Sequence, residues 1–144
     1  MLLLIRQQEE FMNKIVGIFE KVDFPEIGVS TVRAKIDTGA YSGALHCVEV
    51  YLEETPKGKV LCFVPVSSDN KLQKFSKYRT QHVKSSNGHI TKRFVIDTTV
   101  IIQGQSYPIR ITLAHRDNMK NLVLIGRRFL RLNKLMVDAS QIKK

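Results

Sequence analysis

The 144-residue sequence predicts an all-β protein, a small closed barrel with one short helix after Gly126. Three observations point there. Apolar and β-branched residues recur at every second position, or in short continuous runs, over most of the chain. Turn-forming clusters interrupt those runs at short intervals. Beyond the N-terminal segment, helical spacing is credible at one place only.

The elements follow in order. Residues 1–13 open Met1-Leu2-Leu3-Leu4-Ile5 and turn polar at once, too short an apolar run for a membrane span. They read as an N-terminal extension to a single barrel domain over 14–144. Lys14–Val22 alternates as a strand and stops near Asp23-Phe24-Pro25. Val29–Ile36 is a second strand, closing at Asp37-Thr38-Gly39. Ala44–Leu52 is a third, and Pro56-Lys57-Gly58-Lys59 turns it into Val60–Val66. From Ser67 to Lys92 the pattern is weak and polar, with alternation around Tyr78–Val83 and a tight-turn dipeptide at Asn87-Gly88. Arg93–Ile102 and Tyr107–Ala114 are clear strands joined by Gln103-Gly104-Gln105-Ser106. Leu122–Ile125 is short and buried, Arg127–Leu132 is the helix, and Leu135–Val137 ends the pattern as a strand.

Composition bounds the class. A hydrophobic content of 43% with 25% charged residues suits a folded globular chain rather than a disordered one. Cys47 and Cys62 lie in apolar runs and read as reduced, buried thiols of a cytoplasmic protein. The net charge of +10 is unevenly spread. Residues 1–56 carry five basic and nine acidic side chains, whereas residues 57–93 carry nine basic ones against Asp69 alone. Residues 110–134 add seven bases against Asp117. Such asymmetry favours acidic partners, although a charge run is just as often a solvated face.

The stretch that carries chemistry is Asp37-Thr38-Gly39-Ala40, behind the apolar strand Val32-Arg33-Ala34-Lys35-Ile36. It is answered downstream by Leu122-Val123-Leu124-Ile125-Gly126-Arg127, an apolar strand ending in Gly where a helix can begin. Alone, Asp-Thr-Gly is most often a simple turn, since Asp and Gly are default turn residues. Asp97-Thr98-Thr99 lacks the Gly, and Asp97 reads as an ordinary strand residue, exposed or at an edge. Strong apolar flanks raise the weight of Asp37, because they place its carboxylate where lack of a partner is costly.

The order of these motifs resembles the retropepsin-like aspartic peptidases. The wider set (Ala34 to Ala40, Ala44-Leu45-His46, His115-Arg116, Met119, Ile125 to Leu130, Val137-Asp138) is similar to a bacterial branch labelled ATP-dependent zinc protease and linked with ATP-grasp glutamate ligases of ribosomal protein S6. The resemblance covers roughly Ile15 to Ser140. It implies an acid-protease barrel, with Asp37, Thr38 and Gly39 as the catalytic loop. Ile125, Gly126 and Arg127 support that loop. Two features depart from the branch: Tyr41 and Gly43 stand where it commonly has a basic residue and Ser. Tyr41 forgoes a charge contact and Gly43 loosens the backbone, which touches substrate preference more than chemistry.

Aspartic peptidases need two carboxylates sharing a proton, and this chain has one Asp-Thr-Gly, so a homodimer is expected. The resemblance also implies a hairpin flap, for which the basic interval 67–92 is the candidate. A basic flap suits an acidic substrate, and the ligase association points to glutamate-rich tails. Ala40, Tyr41, Arg79, Arg93 and Arg116 are the expected substrate contacts, the arginines as carboxylate clamps. Each of these arginines is at least as readily a solvated one. No His-Glu-x-x-His or Cys-x-x-Cys occurs, His46, His82, His89 and His115 are dispersed, and no phosphate loop is present. Neither metal, nucleotide cofactor nor membrane is expected, and any need for ATP falls to a partner ligase. The rival reading is a non-catalytic basic barrel that binds RNA or an acidic protein. Nucleic acid is the weaker of those partners: Phe75 and Tyr78 are the only aromatics within the basic interval, and there is no Trp.

Overall fold

The computed structural model describes residues 14–67, 69–84, 87–115 and 120–141. Its strands are β1 (Ile15–Val16), β2 (Phe19–Phe24), β3 (Val29–Asp37), β4 (Gly43–Thr55), β5 (Gly58–Pro65) and β6 (Gln73–Phe75). They continue as β7 (Arg79–Lys84), β8 (Ile90–Ile102), β9 (Gln105–Ala114), β10 (Val123–Gly126) and β11 (Met136–Val137). A 3-10 turn spans Pro25–Ile27, and helix α1 spans Arg127–Leu132 as the local pattern predicts.

Six strands close the barrel. The order runs β10-β3-β2-β8-β9-β4, and β4 returns to pair with β10. Closure removes both edges, which a sheet of this size would otherwise leave unpaired. Alternation decides what points inward. Along β9, Tyr107, Ile109, Ile111 and Leu113 are buried while Pro108 and Arg110 face out; along β8, Ile96, Val100 and Ile102 fill the same interior. Fully burying each such side chain contributes about 1.5–3 kcal/mol.

The first expected strand is broken. Lys14–Val22 does not run continuously, because the chain leaves the barrel at Gly17. The Gly17 N–H donates to the buried Glu20 carboxylate at 2.7 Å, and the Ile18 N–H donates to the Gln141 carbonyl at 2.9 Å. A Cβ at Gly17 would lie 2.5 Å from that carbonyl, so only Gly allows the crossing. β1 therefore pairs, in parallel, with β11 near the other end of the chain. Asp138 accepts from Ser140 and Gln141 and so holds this closure; those bonds keep its carboxyl below the usual range.

Two hairpins leave the barrel. β4 and β5 pair from Cys47↔Pro65 to Thr55↔Gly58, and the short β6, not evident from the sequence, adds to β5. The Lys74–Glu53 ion pair at 3.1 Å and the edge-on Phe63–Phe75 contact fix that added strand. The second hairpin is β7–β8, from Arg79↔Val95 to Lys84↔Ile90. Cys47 and Cys62 are free, buried thiols, as their apolar surroundings suggest.

Candidate active site

Asp37 ends β3 and pairs in register with Gly126 at the end of β10, the two strands running parallel from Val123↔Ala34 onward. The apolar runs on either side drive this pairing: Ala34, Ile36, Val123 and Ile125 are all buried. The loop beyond Asp37 is held from within. The Gly39 N–H donates to Asp37 Oδ1 at 3.0 Å, and the Ala40 N–H donates to the Asp37 carbonyl at 3.2 Å.

It is also held from outside. The N–H groups of Arg127 and Arg128, unpaired by helix geometry at the start of α1, donate to the carbonyls of Ala40 at 2.8 Å and Tyr41 at 3.1 Å. Arg127 Nη1 reaches the Gly39 carbonyl at 3.2 Å and the Thr38 carbonyl at 3.5 Å. Gly126 is a steric requirement: a Cβ there would sit 2.6 Å from the Tyr41 carbonyl. Gly126 and Arg127 thus contact the loop directly, while Ile125 is buried in β10 opposite Ile36.

Three expectations need correction. Asp37 is half-buried in the single chain, not buried, because it stands at a strand end with Thr38 and Gly39 exposed beside it. Gly43 does not loosen the backbone; it is buried at the start of β4, where a Cβ would meet the Leu124 carbonyl at 2.8 Å. Tyr41 keeps a charge contact of another kind, its ring lying 5.5 Å from the Arg127 guanidinium.

The expected clamp arginines are not brought together. Arg79 faces Tyr41 across a cavity of about 300 Å³ between hairpin, loop and helix. Arg93 borders a different depression, with Val50 and His115. Arg116 lies outside the described residues. Arg110 and Arg128, which the sequence alone does not single out, line the cavity with Arg79. The outward phase of Arg110 in its strand, and the position of Arg128 directly after Gly-Arg, were the available signals. Asp97 is exposed, as expected, and is ion-paired to Arg79 at 3.4 Å and Arg110 at 3.2 Å. Among the described residues, no group of three or more His, Cys, Asp or Glu is placed to hold a metal, and no helix is long and apolar enough to cross a membrane.

Comparison with known proteins gives the family and the fold. Residues 15–143 match the RimB-like family, described as retropepsin-like aspartic endopeptidase RimB, and the chain belongs to it. A probable alpha-L-glutamate ligase of Shewanella halifaxensis is 30% identical over 132 residues, 88% of this chain and 29% of the relative. One of Desulfotalea psychrophila is 27% identical over 139 residues, 90% of this chain and 29% of the relative. The chain therefore spans about three-tenths of the length of these curated relatives. A crystal structure of a Legionella pneumophila protein of unknown function superposes with a TM-score of 0.70 at 26% identity, covering 90% of this chain and 95% of that one.

Proposed function

From membership of the RimB-like family and the geometry of its loop, we infer that this chain is an aspartic-type peptidase acting as a homodimer, with one Asp37 from each subunit. The observation that carries the reading is the clamped Asp37–Ala40 loop, fixed through Gly126 and Arg127 with its carboxylate at an open face.

Two Asp37 carboxylates across a two-fold axis would share one proton. The ionised one takes a proton from water as the water oxygen attacks the scissile carbonyl carbon; the protonated one donates to the carbonyl oxygen. Collapse of the tetrahedral species breaks the C–N bond, and a proton passes to the leaving amine. Thr38 would brace the facing loops through its hydroxyl. The depression lined by Thr38, Arg127, Leu130, Leu135 and Met136 supplies a surface beside the loop for the second copy.

The β7–β8 hairpin serves as the flap in this reading. Its strand β7 is exposed at five of six positions, and the expected turn at Asn87-Gly88 falls at its tip. An acidic, glutamate-rich peptide is the proposed substrate. The basic interval supports that choice, as do relatives named for glutamate ligation. Phe75 and Tyr78 pack edge-on against Phe63 and Phe94, so they contribute to the fold rather than offering open stacking platforms for nucleic-acid bases.

The test is mass spectrometry of an oligoglutamate-tailed peptide and a neutral peptide incubated with the protein and with Asp37→Asn. Cleavage of the acidic peptide that vanishes in the variant is expected. Sedimentation run at the assay concentration should show a dimer; cleavage by a strict monomer would sink the shared dyad.

A further inference from the structure

The cavity between Tyr41, the β7 strand and helix α1 carries an unbalanced charge. Arg79, Arg110 and Arg128 all line it. Asp97 is the carboxylate that answers the first two, at 3.4 and 3.2 Å. Among the described residues, no carboxylate lies within 4.0 Å of Arg128. Its side chain is nonetheless half-buried, and its backbone N–H is pinned to the Tyr41 carbonyl at 3.1 Å. The Arg128 backbone is thus one hydrogen bond away from the proposed catalytic loop.

The walls suit a particular guest. Tyr41, Phe129 and Leu132 provide apolar surface for a methylene stem, and Arg128 offers a planar fork for a carboxylate. The opposite wall is Arg79, Thr80 and Gln81 of the hairpin, so a chain held beneath the hairpin would pass the cavity mouth. We propose that this cavity is a side-chain subsite in which Arg128 selects a substrate carboxylate, with Arg79 and Arg110 held open by Asp97 as secondary donors. This assignment rests on the peptidase reading above, since that reading puts the peptide under the hairpin.

The experiment uses an Asp37→Asn background and fluorescence anisotropy with labelled oligoglutamate and oligoglutamine peptides. Arg128→Gln should weaken oligoglutamate binding at least about tenfold and erase the preference over oligoglutamine, with Arg128→Lys between the two. Binding of oligoglutamate within twofold of the background would overturn the subsite. A second measurement needs no substitution at Arg128: phenylglyoxal labelling read by mass spectrometry. There the acidic peptide should protect Arg128, and equal labelling with and without peptide would overturn the assignment. The two readings fail separately. Asp37-dependent cleavage indifferent to Arg128 sinks the subsite alone; Arg128-dependent binding by a protein that cleaves nothing sinks the peptidase alone.

Discussion

The loop at Asp37 and the hairpin β7–β8 face the same proposed substrate but are built in opposite ways. The loop is tied by backbone bonds to α1, by the Arg127 guanidinium, and by a glycine contact that admits no Cβ. The hairpin has exposed side chains along most of β7, and Ile90 near its tip is 67% exposed. Its anchorage lies at its base, in the Tyr78–Phe94 contact and the Arg79–Asp97 pair. A reacting group must be held still to be preorganised, whereas a cover must open and close. The contrast follows from how many bonds tie each backbone to neighbouring elements.

That contrast can be broken from the loop side first. Asp37→Asn should lower kcat on the order of 10³-fold or more with little change in the urea midpoint; an unchanged kcat removes the peptidase reading. Gly126→Ala should cost about 1–3 kcal/mol in urea unfolding, because the new methyl meets backbone on the loop. If that variant is as stable as the parent, the loop is softer than its contacts imply.

The packed side of the molecule also has a pH signature. Burial pushes the Cys47 thiol from 9.0 up to about 12, so the folded state favours the neutral form. The associated stability is fully present below pH 9 and is lost as pH rises toward 12, reaching ~1.4 kcal/mol by pH 10. Chemical unfolding at pH 8 and pH 10, with Cys47→Ala for comparison, isolates that loss. Arg127→Ala should cost about 1 kcal/mol and lower kcat about tenfold, since the Gly39 carbonyl loses its charged donor. On the hairpin, Ile90→Ser should change stability by less than about 0.5 kcal/mol while shifting KM. A large unfolding effect there would erase the contrast between the regions.

Much of this was legible in local pattern. Period-two alternation located most strands, and Gly126 followed by Arg127–Leu132 located the helix to the residue. The break at Gly17 was not legible, because the carbonyl that demands a glycine there belongs to Gln141, far away in sequence. For the same reason Gly43 reads locally as slack in the chain, although the Leu124 carbonyl packed against it requires a glycine. The added strand β6 escaped notice because three residues are too few to show a period.

By itself the sequence determined the all-β class, the turns, and Asp37-Thr38-Gly39 as a turn closing a buried strand, since each depends on residues adjacent in the chain. Tertiary structure alone decided which arginines stand together. Arg79, Arg110 and Arg128 line one cavity because β7 and β9 pair with β8 from either side and α1 follows β10 beside them, whereas Arg93 borders another depression. Charge counts along a chain are one-dimensional. Recognition of a carboxylate depends on distances of a few ångströms in space, and the pairing of strands far apart in sequence sets those.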